Sequence, residues 1–363
     1  MTWRVRAAAA FTVLFTGRWA AVHSDPGERI RLVAADRMES AMEGGVAVRK
    51  LIGNVRLVQG DAYMDCEEAV LFGAEERARL MRHVVIHDGK RTLRADGVAY
   101  DGKRRVEEAV GHAVIQSGSK TIFADRIEYR QDSEEVEARG RVAVRDTVER
   151  LLLESDSAYY DRKREYAMVT GGPRAVKFDT SASKKDWRMR GRKMETWSSE
   201  KRLLITDSAS IEQADMKATG QTAEYWSSQN LLILHPSPKV VQLKREITGD
   251  SMAIRLKDMR FDGGRVFGKA RIVSTDSAGS DELKGSRIMI EARGDTLDRV
   301  IVEEQAESFM RVDGKGGEEQ GVNTATGDRI VLTFEGDKLK RVDVSSRPGT
   351  STGKFVPDDS SRP

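Results

Sequence analysis

The residues in this chain that could do chemistry are few, and their spacing argues against the reactions such residues usually serve. The histidines are His23, His83, His87, His112 and His235. His83 and His87 stand four apart, a spacing that on a helix would offer two imidazoles to zinc. Here the surrounding sequence reads as strand, and no HExxH occurs. Cys66 is the only cysteine, so it has no partner at metal-ligand spacing and no intrachain disulfide can form. The segment GSKT (Gly118 to Thr121) lacks the upstream glycine of a phosphate loop, and no GxSxG elbow appears. Glu67-Glu68 and Glu134-Glu135 are adjacent, so in a strand their carboxylates point to opposite faces and cannot share one reacting bond. Trp187, Trp197 and Trp226 would suit a sugar platform, but they recur at near-equivalent places, where packing is the plainer reading. No catalytic residue, cofactor or metal is expected.

One acidic row remains. Asp96, Asp125 and Asp156 are 29 and 31 residues apart, and Asp36 and Glu67 extend the row upstream. Calcium would need several oxygen ligands close together. These acids recur once per repeat, and later repeats substitute Arg192 and Gln221. A corner carboxylate that hydrogen-bonds its own backbone is the expected role.

These acids mark a repeated unit. It is clearest in ADGVAYDGK (Ala95 to Lys103), ADRIEYRQD (Ala124 to Asp132) and SDSAYYDRK (Ser155 to Lys163). It continues through GRKMETW from Gly191, GQTAEYW from Gly220, GDSMAIRL from Gly249, GSRIMIE from Gly285 and GDRIVLTF from Gly327. A period of this size means stacked units that bury their apolar faces on one another. Within Gly111 to Arg139 the pattern predicts three short strands, Ala113–Gln116, Thr121–Tyr129 with a bend at Ala124-Asp125, and Val136–Ala138. Superposed repeats give apolar rows. Val55, Val84 and Ala113 correspond, as do Leu57, Ile86 and Ile115. Met64, Leu93, Ile122 and Leu153 form a third row. Val98, Ile127 and their equivalents form a fourth, and Leu71, Tyr100, Tyr129 and Tyr160 a fifth. Charged residues such as Glu128 alternate with them, so one face of each strand is apolar and the other wet.

Composition agrees with strands that each carry one solvated face. The 363 residues are 39% hydrophobic and 33% charged, with 61 basic and 58 acidic side chains interleaved. A net charge of +3 carries no polyanion-binding signature, so no nucleic-acid partner is expected. At the N-terminus Arg4 and Arg6 precede an apolar run from Ala7 to Phe15, followed by Gly17, Ala20 and Ala21. Residues 1–24 therefore read as a secretory signal, with an uncleaved anchor as the alternative.

The openings GNVRL (Gly53 to Leu57) and GRVAV (Gly140 to Val144), with the second strands ADGVAY, ADRIEY and SDSAYY, resemble the organic-solvent-tolerance A-like (OstA-like) family of lipopolysaccharide transport. The resemblance is good from Ala35 to Gly171 and weaker to Val344. It implies an all-β fold, a repetitive twisted half-open β-jellyroll of about nine units. It implies a periplasmic bridge whose apolar groove carries acyl chains, stacked head to tail on its own copies or other jellyroll proteins and leading to an outer-membrane translocon. On that reading the groove is lined by Val55, Leu57, Met64, Leu71, Val84, Ile86, Leu93, Val98, Tyr100, Ile115, Ile122, Ile127, Tyr129, Leu153 and Tyr160. Ile30 and Leu32 at one end and Ile330 and Leu332 at the other are the expected docking edges. Residues 25–180 and 181–344 make two halves, and 345–363 read as a disordered tail. Periodicity alone leaves open a solid core, and with it an exported scaffold without lipid cargo. A chain of about twelve carbons would gain roughly 10 kcal/mol from burial; near-equivalent rows would let it slide rather than trap it.

Overall fold

The computed structural model describes residues 30–73, 76–89, 91–178, 186–214, 216–257, 260–276, 279–293, 296–312, 321–335 and 338–357. The expected N-terminal signal lies outside them. Strands and turns account for nearly all of these residues, and no α-helix occurs among them. The chain divides into two compact units, one holding residues 30–186 and 190–201, the other 187–189 and 202–357.

The N-terminal unit is an antiparallel meander. It begins with two short strands, β1 (Arg31–Ala34) and β2 (Arg37–Glu43), both laid on β3 (Val46–Gln59). Then follow β4 (Ala62–Phe72), β5 (Arg77–Asp88), β6 (Arg91–Asp101), β7 (Val106–Ser117), β8 (Lys120–Arg130), β9 (Glu135–Asp146) and β10 (Leu151–Asp161), each paired with the next. β11 (Tyr166–Thr170) and β12 (Arg174–Lys177) share β10 between them.

In the C-terminal unit come β13 (Trp187–Arg190), then, after β14 (Lys193–Trp197) of the first unit, β15 (Arg202–Gln213) and β16 (Met216–Trp226). Four short strands follow, β17 (Leu231–His235), β18 (Lys239–Gln242), β19 (Arg245–Thr248) and β20 (Ser251–Lys257). β21 (Arg260–Asp276), β22 (Gly279–Arg293), β23 (Thr296–Val312) and β24 (Gly321–Glu335) are long and paired in series. β25 (Lys338–Ser345) and β26 (Thr352–Pro357) lie on opposite halves of β24.

Each period is therefore two long strands rather than the three short ones the sequence suggested. The difference is a crease. Register slips in mid-strand between Ile52 and Val55, Met81 and Val84, and Val110 and Ala113. At each slip two successive residues take positive φ: Gly53-Asn54, Arg82-His83, Gly111-His112 and, in β9, Gly140-Arg141. A two-residue left-handed bulge bends the strand sharply. The bend separates two runs of alternation that sequence reading took for separate strands.

The tail expected to lack structure contains β26, which is held by backbone pairing to β24 and exposed at every position.

Candidate functional site

The apolar rows are real cross-strand ladders. Leu57, Met64, Ile86, Leu93, Ile115, Ile122, Val144 and Leu153 are successive partners across β3 to β10. On the other side of the crease Leu51, Ala69, Leu80, Val98, Ala109, Ile127, Ala138 and Ala158 form a second ladder. All of these are buried, as are Val55, Cys66, Val84 and Ala95 beside the crease. Successive partners on one face of an antiparallel pair stand within side-chain contact, so each ladder is continuous apolar surface.

The next row outward on the second half runs Leu71, Ala78, Tyr100, Glu107, Tyr129, Val136 and Tyr160. Tyr129 and Tyr160 are buried, while Leu71 and Tyr100 are half-buried. The matching row on the first half is polar: Asp88, Arg91, Ser117, Lys120 and Asp146.

These two margins meet. Arg91 and Tyr100 are nine residues apart on β6, roughly 30 Å in a straight strand. Yet Arg91 donates from Nη2 to Glu107 Oε1 at 3.0 Å, and Glu107 is the cross-strand partner of Tyr100. The Arg91 guanidinium also lies 5.7 Å from the centre of the Tyr129 ring. The crease therefore folds each strand back so that the two inward half-faces oppose one another, closed along one side by the bend and along the other by the facing margins.

Sequence reasoning missed Arg91, Glu107 and Lys120. The signal was parity: each lies two residues from an inward apolar residue, Leu93, Ala109 and Ile122. Burial pushes the Lys120 ammonium below its usual range, with Asp146 and then Glu149 opposing the shift. Among the described residues Lys120 Nζ has no hydrogen-bond partner, and the Asp146 Oδ2 carboxylate oxygen is 3.9 Å away. Burial also raises the Cys66 thiol to about 11, which makes it inert packing.

The row of corner acids does something other than expected. Their carboxylates reach across to the neighbouring strand's crease, not to their own backbone. Asn54 Nδ2 donates to Asp36 at 2.9 Å, His83 Nδ1 is 2.6 Å from Glu67, and His112 Nδ1 is 2.9 Å from Asp96. Arg141 bonds Asp125 through both Nε and Nη2. That bond holds the Asp125 carboxyl below its usual range. Glycine beneath Asp36, Asp96 and Asp125 is forced by space, a Cβ on Gly111 sitting 2.3 Å from Asp96 Oδ2, whereas Arg82 holds that place beside Glu67. No group of three or more His, Cys, Asp or Glu side chains that could hold a metal occurs among the described residues. Of the tryptophans, Trp187 is buried, Trp197 is tilted against Tyr166 at 5.3 Å and Trp226 lies under Arg202 at 5.2 Å.

The expected edges are partly corrected. Leu32 is on β1 and 39% exposed, and Ile30 is half-buried just before it. Ile330 and Leu332 are 0% exposed on β24, because β25 and β26 lie beyond that strand. The exposed inward positions at that end are Val342 and Val344, partners of Leu332 and Ile330, and Phe355, partner of Asn323.

Two family models match this repeat. One, described as OstA-like protein, covers residues 27–135. The other, described as LptA/(LptD N-terminal domain) LPS transport protein, covers residues 92–216. Together they span just over half of the chain. It belongs to the OstA-like family. The OstA-like chain is also similar to a solved structure, LptH from Pseudomonas aeruginosa, described as the LptA homologous periplasmic component of the conserved lipopolysaccharide transport device. Identity is 15%, coverage is 42% of this chain and 93% of that one, and the TM-score is 0.22, too low to carry an argument. No curated protein matches. The family matches and the all-β creased repeat agree on an OstA-like β-jellyroll.

Proposed function

We propose that this OstA-like protein is an exported bridge component of lipopolysaccharide transport, working in the periplasm and passing lipid towards the outer membrane. One observation carries the reading: two opposed, uninterrupted apolar ladders run across eight successive strands in the segment that matches lipopolysaccharide-transport models. Acyl chains lie between the ladders, along Leu57, Leu93, Ile122 and Leu153 on one side and Val98, Ile127, Tyr100 and Tyr129 on the other. Near-equivalent sites let the lipid advance without a deep minimum. No catalysis is involved.

Docking follows the same chemistry. At the N-terminal edge Leu32 and Met38 face inward, opposite Leu57 and Leu51, yet are 39% and 55% exposed. Val342, Val344 and Phe355 play the same part at the other end. Each end fits another jellyroll added by β-augmentation, a further copy or a partner such as the outer-membrane translocon.

The test is crosslinker scanning in the native envelope. Photo-crosslinkers at Tyr100 and Tyr129 should give lipid adducts, and one at Glu128 on the opposite face should not. Adducts at none of the three would favour the scaffold with a solid core.

A further inference from the structure

The inward face of the N-terminal unit is apolar except along its margin, and there it carries charge in one place. Arg91 and Glu107 each keep 8% of their side-chain surface exposed and bond across the seam at 3.0 Å. They come from opposite halves of the folded-over sheet, so their bond joins the two leaves rather than two neighbours in one leaf. Tyr129 packs beneath the guanidinium. Lys120 continues the charged stretch along the same margin, with Ser117 between it and Arg91. Asp88 and Asp146 bound this stretch on its own leaf, and beyond them the margin is apolar, with Ala78 and Val136 on one leaf and Leu151 on the other. Among the described residues of the C-terminal unit, no ion pair has both side chains this buried.

An ion pair is a poor permanent seal. Taking both charges out of water costs about what their attraction returns, and hydrocarbon of similar volume closes as well or better. The open states differ. Parting two apolar leaves exposes hydrocarbon to water, whereas parting Arg91 from Glu107 returns both groups to hydration. The charged stretch is therefore where the seam separates at least cost.

We propose that Arg91 and Glu107 form a latch on the seam of the N-terminal unit, and that its opening admits or releases an acyl chain sideways across β6 to β8. The chain passes over the Tyr129 ring onto the ladders at Leu93, Ile115 and Ile127. The inward rows are then loaded through their flank as well as through their ends. This rests on the reading that the rows hold acyl chains.

The experiment uses the full chain with Cys66→Ala, carrying Arg91→Cys and Glu107→Cys joined by a bismaleimide that contains a cleavable disulfide. Uptake of a fluorescent dodecanoyl probe is followed by stopped flow, with equilibrium affinity measured alongside. Joining the leaves should slow uptake about tenfold or more, the effect of roughly 1.4 kcal/mol on a barrier, and reductant should restore it. Separately, Glu107→Gln should speed uptake with little change in affinity, and the paired reversal Arg91→Glu with Glu107→Arg should return the rate towards that of the unsubstituted protein. Equal uptake by joined and cleaved protein, with the probe still bound, overturns the latch and leaves the lipid-carrying reading standing. Failure of the unsubstituted protein and all variants to bind the probe overturns both.

Discussion

The N-terminal and C-terminal units solve the same backbone problem with different side chains. Both contain strands creased by two successive residues of positive φ. In the N-terminal unit an acid from the segment before the creased strand reaches over most creases to a polar or basic corner residue: Asn54, His83, His112 and Arg141, each 29 residues after the last. In the C-terminal unit the creases are Asp207-Ser208, Gly268-Lys269 and Glu304-Gln305, with glycine in only one. There Asp250 crowds Gly268 in the same way, while at Glu304 the polarity is reversed, Arg287 Nη2 donating to its Oε1 at 3.4 Å. The strands are longer too, 17 residues in β21 and β23 against 11 in β6 and β8. The crease is what the fold requires, and the acid-to-base rung is an elaboration on it. Creased strands continue beyond residue 216, where the second family match ends.

The largest expected effect tests whether the two inward faces are equally closed. Ile127 and Ile288 are 2% and 0% exposed, so Asp at either should cost several kcal/mol or force its own protonation. Glu128→Ala, outward on the same strand as Ile127, should change stability by less than about 0.5 kcal/mol. Urea melts of the three variants give the answer. Near-normal stability of Ile288→Asp alone would mean that the C-terminal unit is hydrated inside, and the likeness between the units would fail.

A middle-sized effect separates crease from rung. Gly111→Ala meets both a φ of +73° and the Asp96 carboxylate, and should cost about 2 kcal/mol. Adding Asp96→Ala removes the carboxylate but leaves its Cβ 2.8 Å from the new one and the backbone strain in place, so about 1 kcal/mol or more should remain. Full recovery in the double variant would show that the strained backbone costs nothing. In the C-terminal unit Glu304, at φ 59°, carries the strain without glycine. Glu304→Gly should therefore stabilise by about 0.5 kcal/mol.

The smallest effect sits on the surface rung. The Arg141 hydrogen bond depresses the Asp125 carboxyl in the folded protein. Its contribution is present above the unfolded carboxyl value, about 3.9, and is lost as pH falls through the lower folded value. Arg141→Ala should move the Asp125 midpoint, followed by carboxyl-carbon NMR, back up towards that ordinary value. An unmoved midpoint would leave the rung without electrostatic content.

Period-two alternation was enough to place Leu57, Leu93, Ile122 and Leu153 in one ladder and Val98 and Ile127 in another, because an apolar residue stands at every position of both ladders. The crease was legible only in β8, where the bend expected at Ala124-Asp125 falls in the register slip between Phe123 and Arg126; elsewhere two left-handed residues interrupt alternation just as a loop would, and only Gly53, Gly111 and Gly140 hint at it. At Arg82-His83 nothing does. Charged Arg91, Glu107 and Lys120 were overlooked because strand ends are normally solvated, although their parity with Leu93, Ala109 and Ile122 pointed inward. Ile330 and Leu332 seemed terminal because β25 and β26 carry few apolar residues. Their strands are fixed by pairing to β24, which composition does not reveal.

The regular crease also makes the molecule's length adjustable in whole steps. Asp96 and Asp125 occupy equivalent places, so excising residues 97–125 would splice one crease to the next with inward parity kept. Two strands would go, and strands are spaced 4.7–4.9 Å apart, so the stack would shorten by about 10 Å. The spliced chain would keep its ladders, but Arg91 would face Val136, the equivalent of the lost Glu107. Reach and side entry are thus set by different residues, and a chain of this design can be lengthened or shortened to fit the gap it spans without redesigning what lines it.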